Sequence, residues 1–251
     1  MTMTRSPLLF LHGVGGGHHA WERQLPYFAG LGYPSHAWDQ PGYGESPLVE
    51  PYDLGQVSAA LKCLVDALGG EPVVLVGHSM GGLVAQEVYV RHPEIVKALV
   101  LTFTSPAFAG GDSEFTKQFI AARIDPLDQG QRMLDIARRL MPTMKGSVSD
   151  PDGLELAEKI MSGVRPETYR KAVRLLTTFD RRKELGAIRV PALLVAGSDD
   201  LTAPPKVMEK MAQKIPGAEY VMLEGCGHLG PMDQPDAFNV ALLDFLSRHH
   251  L

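Results

Sequence analysis

Four aliphatic residues, Val73-Val74-Leu75-Val76, run without a break into Gly77-His78-Ser79-Met80-Gly81-Gly82 and then into a helical pattern. Few folds accommodate that succession. The apolar run is short, rich in β-branched residues and lacks polar alternation, as a strand buried on both faces of a parallel sheet requires. Beyond Ser79, the apolar residues Leu83, Val84, Val88 and Val90 are interleaved with Gln86, Glu87 and Arg91, which suits a helix. A chain that turns from strand to helix within one or two residues passes through a strained conformation and leaves no space for adjacent side chains. Gly77 and Gly81 provide that space. The turn would hold the Ser79 hydroxyl at the top of the sheet, with the Met80 amide and the positive end of a helix dipole aimed at the same point. Ser79 is therefore a candidate nucleophile. The five-residue pattern alone also fits a Gly-rich turn with a solvated serine; the strand before it and the helix after it favour the nucleophile.

An earlier apolar run, Leu8–Leu11, ends in His12-Gly13-Val14-Gly15-Gly16-Gly17. Such a glycine density lets backbone approach a ligand. A dinucleotide fingerprint would need glycine at position 18, where His18 stands, and a phosphate loop would need a lysine that is missing. An oxyanion loop fits better, with the amide of Val14 joining that of Met80. The rival reading is a turn without chemistry. His18 and His19 read as surface or pocket-rim residues, because no His, Cys or acidic partner stands at ligand spacing. Neither a metal nor a cofactor is expected.

Between these runs, residues 20–28 are helical in pattern and residues 34–38 form a short strand. Residues 39–46 are dense in turn formers. Residues 54–68 make an amphipathic helix with Val57, Leu61, Leu64, Val65 and Leu68 on one face, and Cys63 within it. Residues 98–101 form the next strand. The alternation of strand and helix predicts a parallel α/β sheet. At 251 residues the chain is long enough for one large α/β domain or for a core with an inserted lid.

From residue 105 to about 186 the strand rhythm gives way to helical segments at 114–123, 130–140, 154–161 and 167–178. Met133, Met141, Met144 and Met161 with Phe108, Phe115 and Phe119 could line an adaptable apolar pocket. At helical spacing such residues more often belong to an ordinary core, so none is singled out as a binding residue. The core resumes with residues 191–197, a strand that leads to Ser198-Asp199-Asp200. Residues 219–223 form the last strand, followed by Gly225-Cys226-Gly227-His228, and residues 236–248 a closing helix. His249 and His250 read as a solvated tail.

Composition narrows the partners. A hydrophobic content of 45%, a charged content of 21% and a net charge of -5 recommend neither nucleic acid nor an anionic membrane surface. The N-terminal apolar run is too short for the core of a signal peptide, and no stretch approaches a membrane span. Two cysteines give no disulfide framework, so a reducing cytoplasm is expected. Oligomeric state is not legible.

Taken together, His12-Gly13, Asp39-Gln40-Pro41-Gly42-Tyr43-Gly44-Glu45-Ser46, Gly77-His78-Ser79-Met80-Gly81-Gly82, Gly197-Ser198-Asp199-Asp200 and Gly227-His228 resemble the α/β-hydrolase superfamily. The resemblance implies a mostly parallel sheet with helices on both faces, built from residues 1–104 and 187–251, and a helical cap from residues 105–186. It also implies a triad in the chain order Ser, Asp, His. Both Asp199 and Asp200 are candidates for the acid. The family pattern Gly-x-x-Asp, with proline four residues after the acid, matches Gly197, Asp200 and Pro204, which selects Asp200 and makes Asp199 a neighbouring loop or capping carboxylate. The triad is then Ser79, Asp200 and His228. Cys226 could be a thiol nucleophile as in the dienelactone hydrolases, but those enzymes carry cysteine at the elbow, which here holds serine. Serine there also argues against the haloalkane dehalogenases and epoxide hydrolases.

Residues 179–191 together with 200–205 resemble the 3-oxoadipate enol-lactonases and related carboxylesterases. The implied substrate is a small ester or enol-lactone. A carboxylate on such a substrate would want a cap arginine, and Arg123, Arg132, Arg138 and Arg165 are candidates. Hydrolases of carbon–carbon bonds in ring-fission products and cofactor-free haloperoxidases share the same three residue types. A ligand receptor on this scaffold is a further alternative.

Overall fold

In the computed structural model, which describes residues 5–108 and 113–251, Leu8 and Phe10 pack into one apolar layer while Leu9 and Leu11 pack into another. Successive residues of a strand face opposite sides, so an unbroken apolar run is what a sheet covered on both faces demands. The first strand, β1 (Leu8–Leu11), leads to α1 (Gln24–Gly30), β2 (Ser35–Trp38), α2 (Leu54–Ala67), β3 (Val73–His78), α3 (Met80–Arg91) and β4 (Val96–Thr102). After β4 come α4 (Glu114–Asp128), α5 (Met133–Met144), α6 (Pro151–Ser162) and α7 (Pro166–Leu176). The sheet resumes with β5 (Ala192–Gly197), α8 (Pro205–Ala212) and β6 (Glu219–Leu223), and the chain closes with α9 (Gly230–Asp233) and α10 (Pro235–Arg248).

The six strands lie in the order β2-β1-β3-β4-β5-β6, and every pair is parallel. Helices cover both faces. Phe28 of α1 and Phe238, Leu242 and Phe245 of α10 pack on the layer that contains Leu8, Phe10, Val74 and Val76. Val57, Leu61 and Val65 of α2, Val84 and Val88 of α3 and Met208 of α8 pack on the opposite layer with Leu9, Leu11 and Leu75. The expected α/β-hydrolase sheet with helices on both faces is the fold observed. Among the described residues no helix is long and apolar enough to cross a membrane.

Helices α4 to α7 fill the connection between β4 and β5. Their boundaries depart from the expected ones. Helix α4 continues past residue 123, through Pro126, and stops before Gly130, whose φ of 85° suits glycine best. Helix α5 starts at Met133, where the Asp135 carboxylate accepts from the Arg132 backbone amide, and runs through Pro142 to Met144. Helix α8, entered by Pro205 at its first position, has no counterpart in the expectations above.

The expected solvated tail holds for His250, which is exposed, and is corrected at His249. His249 Nε2 lies 2.7 Å from Glu219 Oε1 on β6, its ring packs 4.7 Å from that of Phe245, and Leu251 is buried. A carboxylate on an edge strand and an apolar end residue give the chain terminus partners that periodicity does not reveal.

Candidate active site

Only Ser79 separates β3 from α3, and its φ of 53° with ψ of -116° lies in a region that non-glycine residues rarely occupy. The conformation is held from both sides. The Ser79 amide donates to the Thr102 carbonyl at 2.9 Å, and Thr104 Oγ1 donates to the Ser79 carbonyl at 2.8 Å. A Cβ on Gly77 would strike the carbonyl of Gly81, and one on Gly81 would strike that of Leu11, so both glycines are there because backbone meets backbone.

Chain ends of β3, β5 and β6 bring the other expected groups to this turn. Ser79 Oγ lies 2.9 Å from His228 Nε2, and His228 Nδ1 lies 2.8 Å from Asp200 Oδ2. A carboxylate only accepts, so Nδ1 carries the proton and Nε2 is left to accept from the serine hydroxyl. The other oxygen of Asp200 accepts from the amides of Thr202 and Ala203 at 2.8 and 2.9 Å. Burial disfavours the Asp200 carboxylate, but the His228 ring and these two amides outweigh it and hold the group below its ordinary range. Asp199 points elsewhere. Its carboxylate accepts from the Ser147 amide at 2.7 Å and the Ser147 hydroxyl at 2.6 Å, which ties the loop after α5 to the loop after β5.

Val14 lies in a tight turn closed by the Gly16 amide donating to the Gly13 carbonyl at 2.9 Å, and its own carbonyl accepts from the Tyr43 hydroxyl at 2.8 Å. Met80 begins α3. Among the described residues neither the Val14 nor the Met80 amide donates to a protein carbonyl.

Two buried histidines flank the arrangement, and periodicity gave no sign of their roles. His78 Nε2 lies 2.7 Å from the His228 carbonyl, which accepts only, so this nitrogen bears the proton. Burial and then the neighbouring His228 bring the His78 pKa down to about 3. His12 Nε2 accepts from the Gln40 amide at 3.2 Å while its Nδ1 lies 2.8 Å from the Gly13 carbonyl, and burial lowers its pKa to about 4. Both are neutral supports of glycine-rich backbone. Burial, followed by the charge of Asp233, Asp200 and Asp199, pushes the Cys226 thiol up to about 12, far from a reactive thiolate.

A cavity opens beside Ser79 and His228, with Val14, Met141, Met144 and Met161 in its wall. Phe119 also lines it, whereas Met133, Phe108 and Phe115 do not. Of the four candidate arginines only Arg123 reaches this cavity. Arg132 pairs with Asp135 and Arg138 with Glu158, both in exposed positions, and Arg165 donates to the carbonyls of Gly42 and Ser46. His18 donates its amide to Asp39 and holds its ring nitrogen 2.7 Å from the same carboxylate, at the wall of a separate, more open cavity with His19. Among the described residues no cluster of three or more His, Cys, Asp or Glu side chains is arranged to hold a metal ion.

Residues 8–241 match the alpha/beta hydrolase family. A pimeloyl-[acyl-carrier protein] methyl ester esterase from Neisseria meningitidis serogroup B is 27% identical over 241 residues, which cover 94% of this chain and 91% of the relative. A 2-hydroxy-6-oxononadienedioate/2-hydroxy-6-oxononatrienedioate hydrolase from Paraburkholderia phymatum is 30% identical over 268 residues, covering 97% of this chain and 88% of the relative. Among solved structures, a thermophilic esterase from Thermogutta terrifontis with malate bound superposes with a TM-score of 0.89 at 25% identity, over 99% of this chain and 92% of that one.

Proposed function

The chain belongs to the alpha/beta hydrolase family, and on that premise we propose that it is a serine hydrolase cleaving a small carboxylic ester or lactone through Ser79, His228 and Asp200. The observation that carries this reading is the hydrogen-bonded line from Ser79 Oγ to His228 to Asp200, at 2.9 and 2.8 Å, ending on a serine held at positive φ. A serine hydroxyl is a poor nucleophile at neutral pH. His228 takes its proton during attack on the carbonyl and returns it to the leaving alcohol, while Asp200 keeps the imidazole in the required tautomer and stabilises the imidazolium. The resulting acyl-enzyme is then hydrolysed by water, with His228 as the base again. The amides of Val14 and Met80 receive the oxyanion, and each such donor lowers the barrier by ~3 to 4 kcal/mol. A lactone is a cyclic ester and follows the same steps without losing a separate alcohol.

In this reading residues 1–104 and 187–251 are the hydrolase core, and residues 105–186 act as a cap whose Met141, Met144 and Met161 shape the acyl site. The likeness to the esterase of Neisseria meningitidis supports an ester. The 30% identical relative from Paraburkholderia phymatum favours a second reading, hydrolysis of a carbon–carbon bond in a ring-fission diketone by the same three side chains.

Turnover of p-nitrophenyl acetate tests the proposal. Many turnovers per molecule, lost in Ser79→Ala by roughly four to six orders of magnitude, are expected. A single release with no turnover would instead mark a receptor on this scaffold, and faster hydrolysis of a ring-fission diketone than of any ester would select the second reading.

A further inference from the structure

Among the described residues that line the cavity beside Ser79, Arg123 is the one with a permanently charged side chain. It extends from α4 and forms no ion pair with an acidic side chain among the described residues. Its guanidinium carbon sits 3.7 Å from the centroid of the Phe119 ring, and its one hydrogen bond is a long contact of 3.4 Å from Nη1 to the Phe119 carbonyl. A ring beneath the guanidinium uses the face of the group and leaves the N–H donors on its edge unspent. Burial makes this positive charge less favourable, and the nearby Arg139 opposes it further. A half-buried cation in a largely apolar wall is stable in proportion to the anion that meets it.

Another polar group without a protein partner among the described residues lines the same cavity. The Tyr169 hydroxyl, on α7, is wholly buried and has no hydrogen-bond partner among the described residues. Burial pushes its pKa up to about 12, so it remains a donor throughout the neutral range. Native proteins rarely bury a hydroxyl without a partner, and a polar ligand is one way to supply it where the group faces a cavity. Apart from Ser79, His228, His78 and Thr202, the remaining walls are aliphatic, aromatic, methionine and glycine, with no carboxylate among the described residues.

We propose that Arg123 and Tyr169 form a carboxylate subsite inside the cavity, and that the preferred substrates carry a free carboxylate remote from the bond cleaved by Ser79. The planar fork of Arg123 matches a carboxylate in a bidentate manner, and the phenol supplies a further donor. The substrate class is then a half-ester of a dicarboxylic acid or a lactone bearing a carboxylate. The assignment rests on Ser79 being the nucleophile, but the subsite itself does not depend on catalysis.

Two measurements separate the two claims. The first compares kcat/KM for monomethyl succinate, glutarate and adipate with that for methyl butanoate, pentanoate and hexanoate, in the native protein, Arg123→Gln and Tyr169→Phe. At least one half-ester should be preferred over its neutral counterpart. Arg123→Gln should reduce that preference roughly 10- to 100-fold, as loss of a charge-assisted bidentate contact implies, and Tyr169→Phe should reduce it by a smaller factor. Removing the hydroxyl keeps the buried ring and deletes a group without a protein partner among the described residues, so that variant is expected to fold. The second measurement is calorimetric binding of succinate, glutarate and adipate to the same proteins. Binding by the native chain that weakens in Arg123→Gln supports the subsite even if no ester is hydrolysed, and in that case only the role of Ser79 fails. Absence of dicarboxylate binding in the native protein, or equal losses on charged and neutral esters, overturns the subsite.

Discussion

The amide of His228 donates to the carbonyl of Met144 at 2.8 Å, so the loop that carries the candidate base hangs on the last residue of a helix inserted between β4 and β5. The contact exists because Gly227 has no side chain: a Cβ there would collide with the same Met144 carbonyl, and one on Gly146 would collide with that of Gly225. Two stretches of backbone therefore touch, and insertion and core share the positioning of His228.

Gly227→Ala is predicted to force these strands of backbone apart. Such overpacking destabilises by about 1–3 kcal/mol, and a displacement of His228 should lower kcat for p-nitrophenyl acetate at least ~10-fold, since misplacement on the scale of 1 Å costs about that or more. Urea unfolding and steady-state kinetics read the two effects. An alanine variant with native stability and native kcat would mean that the contact does not position the histidine.

The adjacent aspartates should behave differently. Asp200→Asn leaves the geometry but removes the acceptor that fixes the His228 tautomer, and kcat is predicted to fall by roughly 10³- to 10⁴-fold. Asp199 accepts from Ser147 rather than from the imidazole. Asp199→Asn is expected to keep kcat within a few-fold of native while lowering stability by ~1 kcal/mol through a weakened tie to the insertion. Equal rate losses in both variants would reject the assignment of Asp200.

Acid sensitivity should begin with the buried histidines. Burial brings the pKa of His78 down to about 3 and that of His12 down to about 4 in the folded chain, both below the ordinary 6.5 of an exposed imidazole. Between those values and 6.5 the unfolded chain binds more protons than the folded one, so stability is complete above pH 6.5 and declines as pH falls through that window. Asp200, also lowered, adds its own loss only in the more acidic carboxylate range. His78→Gln retains a donor toward the His228 carbonyl and removes one proton of linkage. Urea midpoints measured from pH 6.5 to 4.5 should therefore give a slope shallower by about 1.4 kcal/mol per pH unit. Unchanged slope would show that His78 does not titrate as a buried base.

Much of this arrangement is legible in the chain. Short unbroken apolar runs mark β1, β3 and β5 because each is buried on both faces, and the glycines around Ser79 mark a turn that no other residue type tolerates. Asp199 and Asp200 are not separable by spacing: adjacent loop residues point in opposite directions, and only the family pattern chose between them. The contributions of Met144, His78 and Tyr169 leave no trace in periodicity. Met144 acts through its carbonyl, His78 occupies a position that the Gly-x-Ser-x-Gly pattern leaves unspecified, and Tyr169 sits among ordinary core residues of α7. Nothing in the chain separates Arg123 from Arg132, Arg138 and Arg165; exposed ion pairs and carbonyl contacts account for those three, and only the fold places Arg123 against the cavity.

Treatment with a fluorophosphonate, followed by peptide mass spectrometry and assay of residual esterase activity, tests most directly whether Ser79 is the nucleophile. One adduct per chain is predicted, on the peptide containing Ser79, with activity lost in proportion to labelling and no adduct in Ser79→Ala. Full esterase activity in the labelled protein, or an adduct carried by Cys226 in place of Ser79, would contradict the proposed mechanism.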